Sequence, residues 1–423
     1  MTHFGIICLA ADGHLNPMTT LGCELKQRGH RVTFFGILDA QAKTLAAGLE
    51  FCAIAESEYP MGAMARSFAQ LGELSGRAAF RYTIIMIQQS AATLLRDAPA
   101  VIKEAGVEAM LVDQVSPGGG TVAEFLDIPF ITVCNAMLIN QEDGVPPFFT
   151  PWKYNPSWWA HWRNRLTYAS LSSLGKPIRE VVGEYRQKWN LPPHFHPNNA
   201  YSQLAQVSQQ PAEFDFPREH LPPCFHFTGP YHNPMSRQSV AFPFEQLTEQ
   251  PLIYASMGTL QNRQQNVFYT IAEACAGLDA QLVISLGGGG TPESLPQLPG
   301  KPLVVGYAPQ LELLQKATLT ITHAGLNTTL ESLSNGVPMV AIPITNDQPG
   351  VAARIAWTGV GEVVPLSRLS VPRLRGAVQR VLTEDSYKQN ALRLQAAIRQ
   401  AGGVSRAADI IEQAISTGKP VLA

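Results

Sequence analysis

The sequence predicts an α/β protein built as two halves with parallel sheets, and three observations carry that reading. Residues 4–10 form a continuous apolar run, a helical pattern over 18–28 stops at Gly29, and residues 31–36 form a second apolar run. That succession is a βαβ unit, the repeating piece of a parallel sheet. The same alternation restarts at 251–256, after a proline-rich stretch from 217 to 251 that breaks the periodicity. Finally, 423 residues with 45% hydrophobic and 15% charged content suffice for two domains of ordinary size, each with its own core.

The first strand runs into Ala11-Asp12-Gly13-His14-Leu15-Asn16-Pro17. This turn lacks the GxGxxG of a dinucleotide site. It sets a histidine instead at the carboxyl edge of a strand, where open parallel sheets bind ligands. Residues 45–54 supply a helix end at Gly48 and a third strand. Long amphipathic helices are expected over 62–95, with Phe80, Ile84, Ile87 and Ala91 at helical spacing. That face reads as core or pocket wall rather than as a membrane-surface helix. A buried strand over 109–112 ends at Asp113, Gly118-Gly119-Gly120 leads into a helix over 121–126, and 129–134 is the next strand. Residues 137–162 are expected to be one long loop carrying Phe148, Phe149, Trp152, Tyr154, Trp158, Trp159 and Trp162. Loops of that length are commonly functional, and clustered rings suit an apolar ligand. In the second half, strands are expected at 251–256 and 281–285, a helix at 265–277, and a surface loop at the glycine run 287–290. Helices at 371–382, 386–400 and 407–416 complete the chain.

A formal net charge of −2 gives no reason to expect a nucleic-acid partner or an anionic membrane. The six cysteines (Cys8, Cys23, Cys52, Cys134, Cys224 and Cys275) include no CxxC pair, and several lie inside apolar strand patterns. Free, buried thiols in a reducing compartment are therefore expected. The first residues do not read as a secretory signal, and no run is long enough to span a membrane. The expected setting is cytoplasmic and the expected state a monomer.

The richest stretch is 304–350. A strand over 302–305 precedes the turn Ala308-Pro309 and a short helix over 310–315. A second strand, 319–322, ends on His323 and passes through Ala324-Gly325-Leu326-Asn327 into a helix over 328–334 that stops at Asn335-Gly336. A third strand, 339–342, opens onto the polar loop Thr345-Asn346-Asp347-Gln348. A helix that begins at a strand's carboxyl end presents free backbone N–H groups and the positive end of its dipole, which together hold a phosphate. Gly325 permits close approach, Thr328 and Thr329 add hydroxyl donors, and His323 adds a ring N–H. Glu331 can accept from a ribose diol, and Asp347 with Gln348 offers the paired groups that sugar hydroxyls need. Each residue alone has a duller reading. Together, in this order, they describe a nucleotide-sugar site.

These residues resemble the signature box of the family-1 UDP-glycosyltransferases, whose GT-B fold sets two Rossmann-like domains across a cleft. That box reads Trp-Ala-Pro-Gln, then Thr-His-Cys-Gly-Trp-Asn-Ser-Thr-Leu-Glu-Ser, then Gly-Val-Pro and Asp-Gln. Here it stands as Tyr307-Ala308-Pro309-Gln310, the run from Thr322 to Ser332, Gly336-Val337-Pro338 and Asp347-Gln348. The likeness extends in order along the whole chain. It implies an acceptor-binding domain over 1–230, a linker over 231–250, a nucleotide-sugar domain over 251–400, and a last segment, 401–423, whose helix packs back toward the first domain.

The resemblance also implies a UDP-sugar co-substrate, UDP-glucose first, with no permanently bound cofactor. No metal is expected, since no DxD motif is suitably placed. His14 and Asp113 match the family's catalytic pair: an imidazole that takes the acceptor's proton and a carboxylate that holds its tautomer. Asp12 is a weaker rival for that second role. Ser256, Gly258, Thr259, His323, Gly325, Leu326, Asn327 and Thr328 match positions that hold the diphosphate. Tyr307, in place of the family's tryptophan, with Ala308, Gln310 and Glu331 matches the uridine positions, and Asp347 with Gln348 the sugar positions. Phe148, Phe149, Trp152 and Trp158 are expected to wall the acceptor. Residues 3–6 and 29–34 look similar to bacterial macrolide and zeaxanthin-type glucosyltransferases, so transfer to a hydroxyl or carboxyl of a lipophilic acceptor is expected, terpenoid or carotenoid-like, flavonoid or macrolide, giving a β-glycoside. In-line attack would invert the anomeric centre. A GT-B sugar 2-epimerase and a non-catalytic nucleotide-sugar or lipophilic-ligand binding protein are the competing readings. The aromatic stretch and the complete Asp-Gln pair speak against the first, His14 and Asp113 against the second.

Overall fold

Each apolar run pairs with another of the same direction, and the pairs assemble into two sheets. The computed structural model describes residues 1–74, 76–232, 240–259 and 265–423, with 73, 76 and 77 as backbone alone. Of the stretch expected to link the halves, residues 233–239 lie outside the described residues. The first half runs β1 (His3–Ile7), α1 (Asp12–Gln27), β2 (Arg31–Gly36), α2 (Gln41–Ala46), β3 (Glu50–Ala53), α3 (Ala63–Glu73) and α4 (Gly76–Ala105). It continues with β4 (Ala109–Asp113), α5 (Gly119–Phe125), β5 (Phe130–Cys134), α6 (Trp158–Leu174), α7 (Lys176–Lys188), β6 (Gln206–Ser208) and β7 (Phe225–Phe227). The second half runs β8 (Leu252–Ser256), α8 (Gln265–Cys275), β9 (Gln281–Ser285), β10 (Leu303–Val305), α9 (Gln310–Leu314), β11 (Ala317–Thr322) and α10 (Leu326–Ser334). It ends with β12 (Met339–Ala341), α11 (Gln348–Thr358), β13 (Gly361–Val363), α12 (Val371–Thr383), α13 (Asp385–Ala401) and α14 (Gly403–Thr417).

The first sheet has the order β3-β2-β1-β4-β5-β6-β7 and the second β10-β9-β8-β11-β12-β13. Ladders within both are parallel, for example β1 with β4 and β8 with β11. In each sheet the chain builds outward on one side of its first strand and then crosses to the other. Connections therefore leave in opposite directions between β1 and β4, and again between β8 and β11. Such a switch point opens a crevice at the strands' carboxyl ends, where α/β sheets take their ligands. His14 and Asp113 follow β1 and end β4; Ser256 and His323 end β8 and follow β11.

Burial fastens the last helix to the first half. Ala407, Ile410, Ile411 and Ala414 of α14 share one core with Leu21, Leu25, Phe4 and Leu111. Arg28 also pairs with Asp409 and Glu412 across this contact, at 2.7 Å each. Exposed ion pairs are worth ~0–1 kcal/mol, whereas a buried leucine or isoleucine is worth about 1.5–3 kcal/mol. The apolar contacts hold it.

Three elements depart from the sequence reading. Helix α1 takes in the whole first turn, so His14 stands in its first turn and Pro17 lies inside it. Pro17 is the sixth residue of that helix, where a proline removes one helical bond and crowds the carbonyl four residues back, a local cost of about 3 kcal/mol that the surrounding packing offsets. Second, Gly325 caps α10 and Asp347 caps α11, so Asn327 and Gln348 are helical rather than loop residues. Third, Trp158, Trp159 and Trp162 belong to α6 and not to a loop that continues to residue 162. Its buried side carries Ala160, Asn164 and Tyr168, so it has no apolar core stripe for a sequence reading to find.

A buried ionic cluster ties the halves together on α11. Arg354 reaches Asp215 Oδ1 at 2.5 Å while Arg218 holds Oδ2 at 2.8 Å, and the Arg354 guanidinium lies 4.2 Å over the Phe216 ring. Burial alone would push the Asp215 carboxyl up; the two guanidinium groups outweigh it and hold the pKa at about 2. Removing one partner strands buried charge, so Asp215→Ala should lower unfolding stability by about 3–5 kcal/mol in a denaturant titration. Because the folded pKa lies below the unfolded value of about 3.9, this contribution is whole above that pH. It is lost as pH falls toward about 2.

Candidate active site

The register of β1 on β4, with Ile7 opposite Val112, sets the ends of the two strands side by side. His14 Nδ1 donates to Asp113 Oδ2 at 2.7 Å, and the carboxylate is fully buried while the imidazole is partly exposed. Asp113 also accepts the Val115 N–H at 3.3 Å and the Cys8 thiol at 3.5 Å. An ionised carboxylate facing Nδ1 keeps the proton there and leaves the lone pair on Nε2, the tautomer a proton acceptor needs. Burial pulls the His14 pKa down, but Asp113 and then the charge of Asp347 more than reverse this, and the net shift is upward. Asp12 takes no part in this pair. Its oxygens are held by Lys43 Nζ at 2.5 Å and by the Tyr307 hydroxyl at 3.2 Å.

Pro17 prepares the contact that joins the two crevices. In a helix the N–H of residue 17 would donate to the carbonyl of residue 13; proline has none, so the Gly13 carbonyl lacks its helical partner. Asn327 Nδ2, in the first turn of α10, donates to that carbonyl at 2.6 Å. Gln209 Nε2 completes the bridge by donating to Asn327 Oδ1 at 2.7 Å and to the Asn135 carbonyl. The residue before His14 is thus bonded to the start of the helix expected to hold an anion.

On the second side, the Thr322–Ser256 register brings the ends of β11 and β8 together. Burial, partly offset by a bond to the Ser256 backbone, lowers the His323 pKa to about 4, so the ring is neutral at physiological pH. The ring lies between Gly258 and Gly325, where a Cβ at either position would stand 2.5 Å from Nε2. No other residue type leaves that space. Ala324, buried with φ 65°, turns the chain into the helix; a left-handed non-glycine costs of order 1 kcal/mol and tends to mark a functional turn. Gly325 then caps α10, whose first amides lack helical acceptors. Leu326 is buried in a core with Leu330 and Val351, so only its backbone N–H can serve a ligand. Ser256 Oγ accepts the Gly258 N–H at 3.3 Å, and Thr259 is exposed at the crest of that turn.

Asp347 reaches across the cleft to accept the Met137 N–H at 3.2 Å. Burial raises its pKa, opposed by that N–H and by the charge of His14. Gln348 spends its side-chain oxygen on the Ile344 and Thr345 N–H groups at 2.8 and 3.0 Å, so its NH2 is what it can offer a ligand. Tyr307 is half-exposed with its ring against Gly288, and the buried Ala308 follows it. Gln310 donates to Glu331 Oε2 at 2.5 Å and to Thr328 Oγ1 at 3.3 Å, a network that holds Glu331 beneath the start of α10.

The four rings expected on the acceptor side do not stay together. Phe148 packs against the α10–α11 core and meets Phe149 at 5.4 Å, which in turn faces Phe80 at 6.2 Å. Trp152 lies 4.1 Å beneath the Arg163 guanidinium. Trp158 stands exposed at the first turn of α6. Sequence reasoning missed Lys43, Gln209, Asn135 and the role of Pro17. Pro17 carries a usable signal, since a proline four residues after Gly13 vacates that carbonyl. For the others nothing local marks them.

Several buried polar atoms around the cleft have no protein partner: both side-chain atoms of Asn135, His323 Nδ1 and Thr329 Oγ1. Atoms of this kind are where an oxygen-rich ligand would bond. A model of the UDP-glucoronosyl and UDP-glucosyl transferase family matches residues 78–401, well over half the chain. Zeaxanthin glucosyltransferase of Pantoea ananas is 34% identical over 428 residues, covering 100% of this chain and 98% of the relative. That of Pseudescherichia vulneris is 32% identical over 425 residues, covering 100% of both. Among solved structures, the calicheamicin glycosyltransferase CalG4 aligns over 99% of this chain and 100% of its own, with a TM-score of 0.76 at 21% identity. The likeness is one of fold, GT-B.

The Asn327 bridge makes a prediction that separates two roles. With a positioning role, Asn327→Ala loses two hydrogen bonds, to Gly13 and from Gln209, about 1–3 kcal/mol in all, and lowers kcat at least about tenfold with the donor KM nearly unchanged. A rise confined to the donor KM would instead give the side chain to the diphosphate.

Proposed function

The chain belongs to the UDP-glucuronosyl and UDP-glucosyl transferase family and is a glycosyltransferase, and from that premise we propose that it moves glucose from UDP-glucose to a hydroxyl of a lipophilic acceptor, with inversion. The observation that carries this reading is the His14–Asp113 pair, 2.7 Å apart, on one rim of a cleft whose other rim is the start of α10. The acceptor hydroxyl gives its proton to His14 Nε2 as its oxygen bonds the anomeric carbon. The bond from that carbon to the diphosphate oxygen breaks on the opposite face, and UDP leaves with the electron pair. Asp113 offsets the imidazolium charge as it forms. The leaving charge is met by the α10 amides, the helix dipole, the Thr328 hydroxyl and the neutral His323 ring.

Asp347, Gln348 and the unpartnered amide of Asn135 are our choice for the glucose hydroxyls; Tyr307, Gln310 and Glu331 for uridine. The zeaxanthin glucosyltransferases among its relatives favour a hydroxylated carotenoid as acceptor, with Phe148, Phe149 and Trp152 along its path. An acceptor screen with UDP-glucose, read by mass shift, tests that choice. In the same assay UDP-glucose should be used in preference to TDP-glucose, UDP-galactose and UDP-N-acetylglucosamine; a preference for the TDP-sugar would overturn the uridine assignment.

Removing a positioned general base typically costs about 10²–10⁴ in rate. His14→Ala should therefore abolish measurable transfer while calorimetric UDP affinity stays at the wild-type value; undiminished turnover would refute the base assignment. Because the raised His14 pKa reflects Asp113, Asp113→Asn should move the rising limb of the rate–pH profile to lower pH and lower its plateau.

A further inference from the structure

Helix α6 is built inside out. At 3.6 residues per turn, Trp158, Trp159, Trp162 and Leu166 fall within an arc of about 100°, and they are 75%, 48%, 56% and 63% exposed. The opposite side is buried through Ala160, Asn164 and Tyr168. Asn164 donates to the Asp143 carbonyl at 2.9 Å and Tyr168 to the Val145 carbonyl at 3.2 Å. These two polar groups face the protein and are satisfied there, while three indoles and a leucine face out. A row of large apolar side chains in water is a standing cost, and one that repeats along a single helix face marks a surface that something covers.

We propose that this face docks the protein peripherally on an anionic lipid bilayer. Chemistry selects that partner. Arg163 and Arg165 flank the apolar arc on its two edges, with Arg163 5.5 Å from the Trp159 ring centroid and Arg165 5.7 Å from that of Trp162. From 153 to 179 the charged side chains are Lys153, Arg163, Arg165, Lys176 and Arg179. Asp143 lies 3.9 Å from Arg165 and Glu180 3.4 Å from Lys176, both pairs exposed and so weak enough for lipid phosphate to replace them. The formal charge of −2 for the whole chain conceals this basic segment. Indoles settle at the level of lipid headgroups, leucine reaches the acyl boundary, and guanidinium groups pair with phosphate. A second copy of this chain fits less well, because two such faces would bring like charges together. Attachment is to the surface only, since among the described residues no helix is long and apolar enough to cross a membrane. The inference stands on α6 and its neighbours and does not depend on which sugar or acceptor the cleft takes.

The test is flotation of the full chain with phosphatidylcholine vesicles, with and without phosphatidylglycerol. The wild type should float with the phosphatidylglycerol vesicles, less with phosphatidylcholine alone and less at high salt. Trp162→Ser/Leu166→Ser should reduce the bound fraction about tenfold, and Arg165→Glu/Lys176→Glu should remove the preference for phosphatidylglycerol. Thermal melting at the wild-type temperature establishes that each variant is folded. A wild type that stays at the bottom of the gradient overturns the proposal, as does a Trp162→Ser/Leu166→Ser protein that floats like the wild type. So does a wild-type dimer in light scattering that the same variant converts to a monomer, which would make the face a self-association surface.

Discussion

Asn327 donates to the Gly13 carbonyl, the one that Pro17 leaves without a helical donor, and this bond joins the two halves of the chain next to His14. One half supplies an imidazole next to Gly13, and the other supplies a helix start that carries Asn327. Each would be an ordinary switch-point feature by itself. The bond at 2.6 Å places them on facing rims, and the Asp347–Met137 and Tyr307–Asp12 contacts hold the same closure at two further points. Farther along α11, the buried Arg354–Asp215 pair fixes the helix that Asp347 caps. Positioning therefore runs from a buried charge cluster, through one helix, to the group beside the proposed base.

Electrostatics divides the labour between the two histidines. His14 is partly open, faces a buried carboxylate and has its pKa raised, so it can accept a proton and carry the charge. His323 is enclosed between two glycines, with no carboxylate acting on it among the described residues, and stays neutral to about pH 4. A neutral ring can donate one hydrogen bond to an anion without first being desolvated as a cation. The same residue type thus serves opposite needs through burial and neighbours alone.

Much of this was legible in the sequence, and the reasons for what was not are physical. Strands such as 281–285 and the box from Tyr307 to Gln348 are dictated by local patterning, so both the fold class and most candidate site residues could be named in advance. The start of α1 was hidden because Pro17 reads as a helix breaker, although its missing N–H is what the tertiary structure uses. Helix α6 was taken in part for loop because its apolar residues point outward and its anchoring residues are polar. Asp215 and Arg354 lie 139 residues apart and meet only through the fold, so no local signal could pair them.

The central claim is that the His14 imidazole and the anion-holding start of α10 share one crevice. Titrating the His14 ring by ¹⁵N NMR, with and without saturating UDP, tests it most directly. A diphosphate bound across that crevice stabilises the imidazolium, so the account predicts an Nδ1-protonated ring whose pKa rises further when UDP binds. A His14 resonance and pKa indifferent to UDP would contradict it.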